Sequence, residues 1–306
     1  MIRHCIMRMV AMVPLLGLIS LLAFGLVRLA PGGPFDHDRA PVSPEIERAL
    51  RDRYHLDDSF GAQYLRFVKG CLVGDLGPSL KYRNHTVAEI LAAGIPVSAV
   101  LGGLSFLFAL GIGIPLGFVA SVGRRAWGDW VAGTLSLLAV CVPGFVAGPL
   151  LVLVFGVRLG WFPVALWGGV EHLVLPVITL GTYFAGRVAR LVREGMTETL
   201  RLEFVRTARA KGVGELAVLW RHAFPLASLP LLTYAGPLLA DLLTGSFVVE
   251  NLFQLPGIGT MTVNGALNRD YPLIVGLVLL YATLLLVLNL LVDLVHAWLD
   301  PRVRHA

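Results

Sequence analysis

The residues able to do chemistry are few and far apart. Cys5, Cys71 and Cys141 form no C-x-x-C pair and stand in no Cys/His group, so the sequence offers neither a zinc site nor a disulfide framework. Cys141, inside an apolar run, reads as a small core residue. No G-x-S-x-G or H-E-x-x-H occurs, which leaves an intramembrane enzyme without its machinery. A phosphate-binding loop needs G-x-x-x-x-G-K-[S/T], and the only lysines, Lys69, Lys81 and Lys211, are followed by Gly, Tyr and Gly. Energy for any work therefore comes from another chain or from an ion gradient. His222 has no second His or carboxylate at ligand spacing and reads as solvated or interfacial. Asp241 and Asp293 interrupt long apolar runs, where a carboxylate is costly unless it faces protein or water. Each is either a buried partner for another helix or a group lining a polar pathway.

The elements that must position these residues are set by composition. Of 306 residues, 56% are hydrophobic and 15% charged, with a net charge of +5 and a mean hydropathy of +0.76. Counted with glycine and without tyrosine, the apolar share is roughly 65%, against about 45–50% in soluble domains. That excludes an ordinary soluble globule, and it excludes disorder, which needs low hydrophobicity and high net charge. An integral membrane protein remains.

The hydrocarbon layer is about 30 Å thick and a helix rises about 1.5 Å per residue. Six uncharged stretches are long enough to cross it: 9–29, 97–122, 131–157, 173–190, 226–249 and 273–299. The first is read as an uncleaved span, because it is too long for a signal-peptide core and Arg28 stands where cleavage needs a small residue. With both termini inside, Arg3, Arg8, Arg124, Arg125, Arg302 and Arg304 fall in the cytoplasm and the short outer loops keep only Arg158 and Arg269. Arg187 and Arg190, at the inner end of the fourth span, are expected to snorkel to the headgroups. The expected fold is an all-α, six-span membrane protein.

Residues 30–95 are expected to form a compact outer subdomain. Ser43-Pro44 reads as a helix start ahead of Ile46, Leu50 and Tyr54 on one face. Phe60, Tyr64, Phe67, Val68 and Cys71 make a second apolar stripe. Thr86-Val87-Ala88-Glu89 fits a capping box before a short helix ending near Pro96. On the inner side, eight basic residues between 187 and 221 (Arg187, Arg190, Arg193, Arg201, Arg206, Arg209, Lys211, Arg221) face Glu194, Glu198, Glu203 and Glu215, a net +4. Within this loop, 191–225, Glu203-Phe204-Val205-Arg206-Thr207-Ala208-Arg209-Ala210-Lys211 reads as a helix with Phe204 and Ala208 stacked, stopped by Gly212. It is too short to persist alone, so it lies either on the membrane surface or in a groove of another protein. Trp220-Arg221-His222-Ala223-Phe224-Pro225 reads as an interfacial re-entry opening the fifth span.

Arg206-Thr207-Ala208, Gly212 and Phe224-Pro225 resemble the E-A-A, G, I-x-L-P loop of bacterial ABC-transporter permeases in its peptide-transporter form. Arg206 stands for Glu, Thr207 for Ala, His222 for Ile and Phe224 for Leu. Thr244-Gly245-Ser246-Phe247-Val248-Val249-Glu250, Leu255-Pro256-Gly257-Ile258-Gly259, Asn268-Arg269-Asp270-Tyr271-Pro272 and Asp300-Pro301-Arg302 are similar to the same family's C-terminal signatures. Ala30-Pro31-Gly32-Gly33-Pro34-Phe35 and Gly74-Asp75-Leu76-Gly77-Pro78-Ser79 resemble its oligopeptide branch.

The resemblance implies a type I importer (MetI-like) permease in the bacterial inner (cytoplasmic) membrane. Residues 1–95 would form the first span and outer subdomain, 96–300 the five-span core and 301–306 a cytoplasmic tail. It implies a second permease (OppC-like), two ATPases (OppD-like and OppF-like) that use ATP and Mg, and an extracytoplasmic peptide-binding protein (OppA-like); this chain would bind no cofactor. Residues 203–212 become the helix that docks in an ATPase groove. Asp241, Asn289 and Asp293 are candidate lining for a wet peptide pathway. Glu250, Leu255, Pro256, Gly257, Arg269 and Asp270, with Arg269 and Asp270 pairing at the membrane surface, either hold the last two spans together or form an outer gate or docking rim for the binding protein. A permease for dipeptides, glutathione or nickel, and a carrier in which Asp241 or Asp293 binds a proton, are the alternatives.

Overall fold

A computed structural model of the chain describes residues 2–29, 57–82, 84–122, 133–134, 138–139, 141–243 and 247–299. The expected helix after Ser43-Pro44, the stretches Ala30–Phe35, Thr244–Ser246 and Asp300–Arg302, and Arg124 and Arg125 lie outside the described residues. Among those described there is no strand, only a bridge between Pro78 and Thr86.

Among the described residues, five helices are long and apolar enough to cross a bilayer. They are α1 (Ile2–Leu29), α3 (Val87–Val122), α5 (Glu171–Thr199), α9 (Leu229–Leu243) together with α10 (Phe247–Leu252), and α12 (Tyr271–Leu299). The third expected span is described only in part, as α4 (Gly144–Leu151) continued by a π-helical turn, Val152–Arg158. Cys141, expected in the core, is exposed, because much of the apolar surface of these helices is left for lipid or another chain. Val13, Leu26, Leu107 and Val119 are exposed in the same way.

The frame is the packing of α3 on α5, the most extensive interface among the described helices. Lipid is as apolar as leucine, so membrane helices associate through close packing of small residues. On α3 those residues are Ser105, Ala109, Gly113, Gly117 and Ala120, recurring every three or four positions and all buried, while the buried Gly102 lies against Leu242 of α9. A Cβ on Gly113 would stand 2.7 Å from the Ala185 carbonyl oxygen of α5, and one on Gly117 would strike Ala189 and Val192. Leu180, Phe184, Ala185, Val188, Val192 and Met196 of α5 join Leu101, Ala109, Leu231, Leu238 and Leu242 in one core.

Three expected boundaries move. The helix opened by the capping box does not end near Pro96: Thr86 N–H donates to Glu89 Oε2 (3.1 Å) and Glu89 N–H to Thr86 Oγ1 (3.2 Å), and the helix then continues for 36 residues. Proline removes one hydrogen bond, to the carbonyl of Ala92, but its φ is helical, and membrane helices tolerate the loss. The domain boundary expected at 95/96 therefore falls inside α3. The fourth span runs on to Thr199, absorbing the first part of the expected inner loop. The outer loop after the fifth span contains a further helix, α11 (Ile258–Leu267).

The outer stripe forms α2 (Phe60–Leu72), which packs on the outer half of α1. Phe24 meets Phe60, Tyr64 and Phe67 with ring centroids 5.5–5.6 Å apart. Tyr64 reaches Ser20 Oγ (2.9 Å), and Arg28 donates to Gln63 Oε1 while lying 4.2 Å above the Phe24 ring. α2 of the expected outer subdomain thus packs along the first span.

Replacing Gly113 or Gly117 by leucine is expected to cost about 1–3 kcal/mol each through overpacking, read as a lower thermal midpoint in detergent. Gly103→Ala, where a Cβ meets nothing within 4 Å, should leave the midpoint unchanged within about 0.5 kcal/mol.

Candidate functional site

The inner face is built around α6 (Glu203–Ala210), which projects between α5 and the start of the fifth span. Leu200 N–H donates to the Met196 carbonyl and Leu202 N–H to that of Thr199, so the chain turns into α6 within a few residues. The Gly212 stop is as expected: its φ is +78°, and Val213 N–H closes on the Ala208 carbonyl at 3.2 Å. The buried face differs from expectation. Val205 is 0% exposed and packs with Ala208 on Val218, whereas Phe204 is 42% exposed. Spacing of i, i+3 rather than i, i+4 meets the seat, because Val218 and Val213 lie to one side of the helix. Glu203, Arg206, Thr207, Arg209, Ala210, Lys211 and Gly212 are also exposed.

Two devices tie α6 to the fifth span. Arg209 grips Glu215 with both ends of its guanidinium (Nε–Oε2 3.1 Å, Nη2–Oε1 2.6 Å). Beyond Glu215 the chain is helical throughout: α7 (Glu215–Ala217), a π-helical stretch Val218–Ala223, and α8 (Phe224–Ala227). Trp220-Arg221-His222-Ala223-Phe224-Pro225 is thus part of this helical run. Trp220 stacks on Phe118 of α3 at 4.6 Å, and His222, half-buried, places Nδ1 3.3 Å from the Ala217 carbonyl.

The outer motifs fold inward. Glu250 is 0% exposed; its carboxylate accepts from Ser98 Oγ of α3 (2.7 Å) and from Thr260 N–H at the start of α11 (3.2 Å), and Ser98 Oγ in turn accepts from Ile258 N–H (2.8 Å). A carboxylate at a helix N-terminus meets unpaired N–H groups and the positive end of the helix dipole. Asp270 is also 0% exposed. It caps α12 through Leu273 N–H and accepts from Ser79 Oγ and from the N–H groups of Leu80 (3.1 Å) and Lys81 (3.3 Å). Asp270, expected at the membrane surface, is thus buried, because its carboxylate can satisfy several backbone donors at once. Glu250, Leu255, Gly257 and Asp270 are buried and present no side chain to a docking partner, while Pro256 is exposed and Arg269 half-exposed.

The three pathway candidates are not brought together. Asp293 pairs with Arg8 of α1, the cross-helix partner that a carboxylate in a span needs. Asn289 lies against Gly236 of α9. Asp241 is exposed on α9, within electrostatic reach of Arg187 on α5. Cys71 is half-buried, and burial pushes its thiol pKa up, away from the thiolate form that reacts.

Residues 113–305 match the family described as binding-protein-dependent transport system inner membrane components. The oligopeptide transport system permease proteins OppB of Haemophilus influenzae and Salmonella typhimurium are 38% and 39% identical, each over 100% of both chains. The chain belongs to this family of permeases. The dipeptide transport system permease protein DppB of Bacillus subtilis is 37% identical over 99% of this permease and 98% of its own length. The fold is that of a solved MetNI methionine ABC transporter in an inward-facing conformation, with a TM-score of 0.60 at 16% identity, covering 69% of this chain and 96% of that one. A crystallised amino acid ABC transporter with histidines gives 0.54 at 15% identity, over 67% and 92%.

The chain is thus a permease component of a binding-protein-dependent transport system. The family match begins at Gly113, so α1, α2 and the outer part of α3 lie outside the matched segment. The roles of Ser98 and Ser79 as buried partners went unread in the sequence, because a lone serine in an apolar run carries no spacing signal. Asp270 ahead of Tyr271-Pro272 did carry one, as a cap residue before a helix-opening proline.

Removing Ser98 Oγ strands both the Glu250 carboxylate and Ile258 N–H. Ser98→Ala and Glu250→Ala are each expected to cost about 1–3 kcal/mol. Because they share one hydrogen bond, the double variant should be less destabilised than the sum of the two, as measured by thermal unfolding in detergent.

Proposed function

We propose that this permease forms one half of an ATP-driven pathway importing oligopeptides across a bacterial inner membrane, with an OppC-like permease, OppD-like and OppF-like ATPases using ATP and Mg, and an OppA-like binding protein. Full-length identity to OppB proteins carries the substrate reading. Identity to DppB is nearly as high, which favours a dipeptide permease as the second reading. Uptake of labelled dipeptide, tripeptide and pentapeptide by the reconstituted complex separates them: import of the pentapeptide supports the first, and import of dipeptide alone supports the second.

The mechanism rests on α6. Its buried face seats on the helical run that opens the fifth span, and its exposed face offers Phe204 among Arg206, Arg209 and Lys211. An aromatic side chain ringed by cations suits an apolar pocket with an acidic rim in an ATPase groove. Closure of the ATPases would pull α6, and through α5 and α8 would swing the spans that line the pathway. The outer knots around Glu250 and Asp270 would hold the far ends of those helices together while the inner ends move. The exposed Phe204 favours a protein groove, and the family membership supports it over the membrane surface.

Phe204→Ala should leave insertion and thermal stability unchanged, weaken ATPase co-purification by about 1–2 kcal/mol, and lower uptake. Ala208→Trp, which pushes α6 off Val218, should reduce ATP-driven uptake at least about 10-fold. Uptake that persists with ATP after the ion gradients are collapsed distinguishes this mechanism from a proton-coupled carrier.

A further inference from the structure

One face of α5 is buried through Phe184, Ala185, Val188, Ala189 and Val192. The opposite face exposes Arg187, Arg190, Arg193 and Glu194, and such a face is excluded from lipid by the cost of charge in hydrocarbon. Arg187 lies roughly 24 Å along the helix from Glu171, inside a hydrocarbon layer about 30 Å thick. A snorkelling arginine at this depth would reach toward the nearer, cytoplasmic headgroups. Arg187 reaches the other way: its guanidinium stands 5.0 Å from the ring of Tyr183, one turn closer to the outer end, and donates to Tyr234 Oη on α9 at 3.1 Å. Asp241, also on α9, is within electrostatic reach. A cation is thus aimed at the middle of the membrane and steadied by two tyrosines from two spans.

A guanidinium presents five N–H donors in a planar fork that matches a carboxylate, and here one is committed to Tyr234. The carboxylate that every linear peptide carries, whatever its side chains, is the one at its C-terminus. We propose that Arg187, held by Tyr183 and Tyr234 and balanced by Asp241, is a transient station on the pathway face of α5 that takes the C-terminal carboxylate of a peptide in transit. Asp241 neutralises the guanidinium when the site is empty and weakens its hold on an incoming carboxylate, so the peptide is released rather than trapped. The assignment rests on the oligopeptide reading above.

The test uses the complete transporter in proteoliposomes, with ATP inside and the binding protein outside, saturated with either a free-acid peptide or its C-terminal amide. Saturation removes selection by the binding protein. The wild type should import the acid about 10-fold faster than the amide, the scale of one charge-assisted hydrogen bond. Arg187→Gln should lower acid uptake about 10-fold and amide uptake less than about twofold. Arg187→Lys should keep part of the preference, and Tyr234→Phe, which removes only the hydroxyl that steadies the guanidinium, should give an intermediate ratio. Equal losses for acid and amide in Arg187→Gln, or no preference in the wild type, overturn the station. A wild type that imports neither form overturns the oligopeptide reading itself, and the station with it.

Discussion

A bilayer gives apolar helices no reason to prefer each other over lipid, so the approach of α3 to α5 has to come from shape. The small residues along α3 let the α5 backbone settle into van der Waals contact, and a Cβ at Gly113 or Gly117 would occupy space already filled by the other helix. Everything functional is referred to that contact. It orients α5 so that Val188 and Val192 face inward, which turns Arg187, Arg190 and Arg193 outward. It also brings Phe118 under Trp220, linking α3 to the helical run that carries α6.

The two ends of the helix set are handled differently. At the outer end, Glu250 and Asp270 are buried carboxylates satisfied by serine hydroxyls and by N–H groups at helix starts, joining segments distant in sequence: Ser98 with Glu250 and Ile258, Ser79 with Asp270. Such networks are costly to break, because each lost donor leaves a charge without compensation. At the inner end, α6 is seated by only a few apolar side chains, Val205 and Ala208 against Val218, and by an exposed Arg209–Glu215 pair of the kind that adds little stability. A fixed outer end and a lightly seated α6 suit the drive from the cytoplasmic side proposed above.

Much of this was legible in the residues. Apolar stretches of membrane length marked the spans, the capping box at Thr86 marked the start of α3, and Gly212 marked the end of α6, each because a local rule of backbone chemistry leaves its trace within a few residues. The helix expected at 203–211 forms as α6, but its buried face differs: spacing pairs Phe204 with Ala208, and the structure buries Val205 beside Ala208 instead. Helical spacing gives faces, and it does not say which face meets a neighbour. Pro96 was read as a stop because the rule for water-soluble helices is stronger than the one for membrane helices.

The outer motif shows the same limit more sharply. Pro256-Gly257, Arg269 and Asp270 admit two readings in the sequence, residues that hold the last two spans together or a surface rim, since acidic and turn residues between spans ordinarily sit in water. Only the tertiary structure could reveal that Glu250 and Asp270 point inward, because their serine partners lie more than a hundred residues away and their other partners are backbone N–H groups, which every sequence contains. The sequence by itself determined that this chain carries apolar stretches of membrane length and where they lie, which of its segments are basic and that it carries no phosphate-binding loop, all properties of local composition. The tertiary structure decided which polar groups are structural and which face open space, because that depends on how closely the helices approach, and the approach is set by the small residues between them.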